Sequence, residues 1–107
     1  MIEKALLEDE LYLDEKLTLT GLASRIAIKS HTVSQVINQH MGTNFYKLVN
    51  RYRVHHASAL IEDPSCHWPL ERIAIESGFG NRVTFNKAFK EEYGCTAREY
   101  RAQRKTA

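Results

Sequence analysis

The chain is short of several things, and each shortage narrows what it can be. Its 107 residues include two cysteines, Cys66 and Cys95, with no CxxC spacing. A disulfide scaffold or a zinc site calls for more thiols, or closer ones, so these read as two idle or buried thiols in a reducing cytoplasm. Two prolines and five glycines are too few for a collagenous or low-complexity chain. No apolar run approaches the roughly 18–20 residues that a membrane span requires. The opening MIEKALLEDE is acidic and interrupted, unlike a secretory leader. No strand-like alternation occurs, so the expected fold is all-α. No nucleophile, base and orienter cluster in the sequence, which argues against an enzyme. His55-His56 and Cys66-His67 lack a second ligand at helical spacing, so neither a metal nor a cofactor is expected.

What the chain does have is a folded protein's balance, 43% hydrophobic and 26% charged, with a net charge of +2. The charge is unevenly spread. Residues 1–16 carry two Lys against six Asp/Glu, whereas residues 17–107 carry thirteen Lys/Arg against seven Asp/Glu. A basic region of this kind is a modest electrostatic footprint for nucleic acid, although many soluble domains share it.

Apolar spacing predicts a first helix over residues 2–14. Thr18 is placed to cap a second helix along LTGLASRIA, and Ala27-Ile28-Lys29 makes a turn. Ser30 or Lys29 starts SHTVSQVINQHMG, with Val33, Val36, Ile37 and Met41 inward and Gly42 as its stop. Asn44 is placed to cap a long helix to Ile61 or Glu62, which Asp63-Pro64 ends. Its apolar positions fall into two groups, Phe45, Leu48, Val49 and Tyr52, then Val54, Ala57, Leu60 and Ile61. After the loop DPSCHWP, Leu70, Ile73 and Ala74 mark a short helix, and Ser77-Gly78-Phe79-Gly80 a turn. A helix with Phe85, Ala88 and Phe89 inward follows, and a Thr96/Glu99 capping box opens the last one. Phe79, Phe85, Phe89 and Tyr93 read as core rather than as base-stacking aromatics.

The halves repeat. Leu22-Ala23 answers Ile73-Ala74 at an offset of 51; after the turn, Val33 answers Phe85 and Gly42 answers Gly94 at an offset of 52. Two helices joined by a short turn form a helix-turn-helix, so the chain carries two. The expected division is an N-terminal unit over 1–43, a linker helix over 44–62 and a C-terminal unit over 63–107. Off the apolar face of the second unit's second helix lie Arg82, Asn86, Lys87 and Lys90, donors suited to base edges and phosphates. Ser30, His31, Ser34, Gln35 and Asn38 lie correspondingly on the first unit. The bland reading of each is an ordinary solvated helix surface. A helix of 18 residues, roughly 27 Å long, could hold two readers near the ~34 Å that separates successive major-groove faces.

The runs LTLTGLASRIAI, GTNFYKLVNRYRVHHASALI and IAIESGFGNRVTFNKAFKEEYGCTAREYR resemble the DNA-binding domain of AraC/XylS-type transcription regulators, over roughly residues 10–103. The resemblance implies seven helices, with a long central one tying two helix-turn-helix subdomains. It also implies sequence-specific binding of double-stranded promoter DNA, control of transcription, and RNA polymerase as a partner. Its base-facing places fall on Ser30, His31, Ser34 and Gln35, and on Arg82, Val83, Asn86 and Lys87. Thr18, Asn38, Arg51, Arg53, Lys90 and Arg98 are its phosphate-contact candidates. A sensor or dimerisation domain outside this sequence, cytoplasmic or the cytoplasmic end of a membrane-bound sensor, belongs to the same implication. No small-molecule site is expected within these residues. Several positions depart from the pattern. Ala27 stands where the first turn often has Gly, and a slightly different turn is expected. Lys29 replaces a small capping residue, which passes the cap to Ser30; Pro69 replaces a Ser/Thr cap, and Ala97 a Pro. The first recognition helix has no Arg or Lys. That is the best support for the alternative to DNA binding, a helical protein-interaction module that keeps the fold without specific DNA binding.

Overall fold

The computed structural model describes residues 2–8 and 10–106. Seven α-helices and no strand are found among them: α1 (Ile2–Glu8), α2 (Leu19–Arg25), α3 (Ser30–His40), α4 (Phe45–Glu62), α5 (Leu70–Glu76), α6 (Arg82–Tyr93) and α7 (Ala97–Thr106). The caps form as the local residue types dictate. Thr18 Oγ1 accepts from Gly21 N at 3.0 Å, and Asn44 Oδ1 from Lys47 N at 2.9 Å. Thr96 and Glu99 bond reciprocally to each other's backbone N–H at 2.9 and 3.1 Å.

Two hydrophobic clusters share α4. Phe45, Leu48 and Val49 join Leu6, Leu22, Val33 and Ile37 in the first. Val54, Ala57 and Ile61 join Ile73, Phe79, Phe85, Phe89 and Tyr100 in the second. The helix therefore belongs to both cores, and the molecule is elongated, 46 × 22 × 22 Å.

Three expectations are corrected. The helix over 2–14 does not run through: α1 ends at Glu8, Glu10 takes a left-handed conformation (φ 50°), and Leu11–Leu13 form a 3₁₀ turn. A left-handed residue at Glu10 lies outside the right-handed helical region, so the helix cannot pass through it. The first turn is not altered by Ala27. That residue adopts φ +58°, the left-handed conformation of its counterpart Gly78 (φ +94°). The backbone bonds repeat at the same offset of 51: Ile28 N to Ala23 O and Phe79 N to Ala74 O, both 3.0 Å. The α3 cap does not pass to Ser30. Lys29 holds the N-cap position, without a side-chain bond.

Gly78 matters for a further reason. A Cβ there would lie 2.4 Å from the carbonyl oxygen of Tyr12 and 3.0 Å from Arg53 Nε. The 3₁₀ turn thus lies directly on the turn of the second unit, although it is continuous with the first.

Candidate nucleic-acid interface

In α3, Val33 and Ile37 are buried against α2, which turns His31, Gln35 and Asn38 outward; Ser30 and Ser34 are partly covered. Asn38 Nδ2 lies 3.4 Å from Ser34 Oγ, one turn back. The face presents two hydroxyls, two amides and an imidazole, all able to donate and accept, with no fixed cation.

Asn81 caps α6, its Oδ1 accepting from Thr84 N at 2.8 Å. Phe85, Ala88 and Phe89 face inward, which leaves Val83, Asn86, Lys87 and Lys90 exposed. Val83 is 78% exposed, an apolar side chain set among polar ones. A bare valine of this kind suits a thymine methyl in a major groove. Arg82 is not a free cation. Its Nη1 lies 2.8 Å from Glu71 Oε1 on α5, and its Nε is buried with no hydrogen-bond partner. The Glu71 carboxyl is held below the usual carboxylate range by its own backbone N–H and by Arg82.

α6 is anchored to α4 along one edge. Tyr93 Oη donates to Ser58 Oγ at 2.8 Å, Glu92 meets His55, and Arg51 Nε lies 3.8 Å from Glu92 Oε1. α6 is thus held through polar contacts as well as through its core. Arg51, although exposed, already faces a carboxylate.

The phosphate-contact candidates separate. Lys90 and Arg98 are exposed, and Thr18 is exposed while its oxygen caps α2, leaving its hydroxyl hydrogen to donate. Arg53 is corrected. It is only 9% exposed, and its Nε and Nη2 donate to the carbonyls of Tyr12 (2.6 Å) and Asp14 (2.8 Å), with Nη1 to Asn50 Oδ1 at 3.3 Å. Burial pulls its pKa down, and Asp14 and Glu15 push it back up. It is an internal strut, with its guanidinium turned to the protein's own carbonyls.

The start of α4 adds residues outside the two helix-turn-helix motifs. A cleft of about 370 Å³ runs between α4 and α6, lined by Tyr46, Lys47 and Asn50 on one side and Val83, Thr84 and Lys87 on the other. Tyr46 is 72% exposed. Its place off the apolar face of α4, beside a lysine, was the available signal. A second cleft, about 270 Å³ and mostly apolar, lies behind α3 between Ile2, Ile28, Val36 and Met41. Trp68, within the 63–69 loop, packs against the second core: Arg72 covers its ring at 4.0 Å, and Arg101 Nη2 donates to its carbonyl at 2.6 Å. Among the described residues no cluster of His, Cys, Asp or Glu is arranged to hold a metal, and no helix is long and apolar enough to cross a membrane.

Two helix-turn-helix units with the same hydrogen-bonded turn, built on one shared helix, define a double helix-turn-helix domain of the DNA-binding class. Comparison with known proteins gives the family. A model described as a helix-turn-helix domain matches residues 22–103, and the chain belongs to the AraC/XylS-type family of transcription regulators. The regulatory protein PocR of Salmonella typhimurium is 31% identical over 104 residues, 95% of this chain and 33% of PocR. The C-terminal domain of AraT, a response regulator from Geobacillus stearothermophilus, matches with a TM-score of 0.80 at 25% identity, covering 95% of this chain and 84% of that one. The DNA-binding domain of AdpA, solved in complex with a target DNA, has a TM-score of 0.83 at 20% identity over 98% and 90% of the two chains. At that identity the likeness to AdpA is one of fold. The chain spans about a third of the length of PocR and of the activator RhaS of Escherichia fergusonii.

Proposed function

We propose that this chain binds double-stranded promoter DNA sequence-specifically, with α3 and α6 entering successive major grooves on one face of the duplex. The observation that carries the reading is the duplicated turn. In each unit the helix after the turn has its inward face filled by the core and a largely polar outward face, and both units are fixed to one 18-residue helix. A body 46 Å long accommodates two faces about 34 Å apart. A shared helix has lost its conformational freedom before binding, so little entropy is spent in aligning the readers.

In this reading Ser30, His31, Ser34 and Gln35 meet base edges from α3, and Arg82, Val83, Asn86 and Lys87 do so from α6. Thr18, Asn38, Lys90, Arg98 and Arg51 meet phosphates, Arg51 by exchanging Glu92 for one. The lack of a cation on α3 makes α6 the stronger contributor to affinity. RNA polymerase and a sensor or dimerisation domain are the partners such a reader serves.

The test is selection of bound duplexes from a random pool, followed by footprinting on the winner. The expected result is a site of about two helical turns, protected on one face, with binding that weakens steeply as salt rises. Protection on opposite faces, or none, rejects the arrangement; a protein partner captured at α3 and α6 with no duplex shifted favours the interaction module.

A further inference from the structure

We propose that Glu71 is the positioning residue for Arg82, holding its guanidinium so that it reads a guanine end-on, and that Glu71 thereby sets specificity at that base pair. This rests on the reading of α6 as a recognition helix.

A guanidinium offers two forks to a pair of acceptors. One is side-on, from Nε and Nη2; the other is end-on, from Nη1 and Nη2. In Arg82 the side-on fork is closed, because Nε is buried. That nitrogen has no hydrogen-bond partner, so no bond of its own accounts for where it sits. The partner that does account for the conformation is Glu71, 2.8 Å from Nη1. Each Nη nitrogen carries two hydrogens, and in the proposed arrangement Glu71 takes the Nη1 hydrogen on the Cδ side, which leaves Nη1 its other hydrogen, parallel to one of Nη2. Those two form the end-on fork, and the side chain remains 41% exposed. The two parallel major-groove acceptors on a single base are O6 and N7 of guanine.

Glu71 also acts by its charge. It sits on α5, the helix that precedes the reading helix in the same unit, and is itself largely exposed. A carboxylate beside the interface repels every phosphate that approaches, whatever the sequence. Orientation raises binding to the correct duplex, and charge lowers binding to every duplex. Orientation alone widens the ratio between specific and non-specific affinity, the quantity that matters for a DNA reader, because a sequence-independent repulsion cancels from it.

The experiment compares the parent, Arg82→Ala, Glu71→Ala and Glu71→Gln on the selected duplex, on its single-base variants and on random duplex. Arg82→Ala is expected to erase preference at a guanine. Glu71→Ala is expected to weaken preference at that same pair at least about fivefold, the lower end of what a bidentate contact discriminates. It should also tighten binding to random duplex. Glu71→Gln keeps an acceptor without the charge, so it should retain most of the guanine preference while binding random duplex as Glu71→Ala does. The double variant Glu71→Ala/Arg82→Ala should be no less selective than Arg82→Ala alone. If Arg82→Ala erases the preference and Glu71→Ala leaves it intact, the proposal falls and the DNA reading stands. If Arg82→Ala changes nothing at any pair, the role of Arg82 falls and the proposal with it. A measurement without DNA separates these cases further. The Glu71 carboxyl, followed by NMR titration, should ionise at higher pH in Arg82→Ala than in the parent; equal values mean the pair does not form, and the proposal is overturned.

Discussion

Arg53 Nε donates to the carbonyl oxygen of Tyr12 at 2.6 Å, across 41 residues of sequence. The same guanidinium donates to the carbonyl of Asp14 at 2.8 Å, so one side chain from the middle of α4 satisfies two carbonyls of the segment after α1. The Tyr12 ring stacks on Tyr52 and meets His56 edge-on, and His56 Nδ1 lies 3.0 Å from the buried Ser77 hydroxyl. Tyr12 O also closes against Gly78. This contact joins the first unit, the shared helix and the second turn at one point.

Replacing Arg53 should therefore cost stability rather than DNA affinity. Arg53→Ala removes charged hydrogen bonds and strands two carbonyls, a loss of about 2–3 kcal/mol in urea unfolding. Arg53→Lys should recover little of it, because an ammonium cannot span both acceptors as the planar fork does. The salt dependence of duplex binding should not change for whatever fraction remains folded. A change in that slope would return Arg53 to the phosphate contacts.

Ala27 and Gly78 make opposite predictions from the same backbone conformation. An alanine held at positive φ is strained by about 1–2 kcal/mol, and glycine gives back part of that through its greater freedom when unfolded. Ala27→Gly should raise stability by about 1 kcal/mol, read as a higher midpoint in thermal melting. Gly78→Ala adds a collision with Tyr12 O to the same strain and should lose about 3 kcal/mol.

These positions also mark where the sequence was legible. The division of α4 between two cores was readable, because Phe45, Leu48 and Val49 and then Val54, Ala57 and Ile61 fall at helical spacing on either side of Arg53. The caps at Thr18, Asn44 and Thr96 were readable because each bond closes within three residues. The strut was not readable. Tyr12, Arg53 and Gly78 are brought together only by folding, and an arginine on a basic helix has the same appearance whether it meets a phosphate or a carbonyl. The Glu71–Arg82 pair was hidden for the same reason. Sequence spacing gave the outward face of α6 but not what its first residue touches.

The capping box provides a pH test. The Glu99 carboxyl is held below its ordinary range by the backbone N–H and hydroxyl of Thr96. Its folded pKa is depressed relative to the unfolded chain, so its contribution is complete above the unfolded value. That contribution is lost as pH falls through the folded one. Glu99→Gln keeps an acceptor but loses the charge at a helix N-terminus. The variant should be less stable than the parent at pH 7, and the gap should close as the parent is acidified below the carboxylate range. A gap that persists unchanged at low pH would show that the charge of Glu99 contributes nothing.

On the proposed reading, α3 and α6 should respond differently to single substitutions. Lys90 is an exposed cation on α6 and Gln35 an exposed amide on α3. A lysine at a phosphate acts through counterion release, so Lys90→Ala should weaken binding to every duplex by a similar factor. It should also reduce the slope of log affinity against log salt by about 1. An amide paired with adenine carries no charge to release. Gln35→Ala should leave the slope unchanged and cost about 1–3 kcal/mol, at one base pair of the selected site only. Affinities measured across a salt series on matched and single-base variant duplexes separate the two patterns. If Gln35→Ala instead lowers the slope and weakens all sequences alike, α3 is gripping backbone rather than reading bases, and specificity resides in α6 alone.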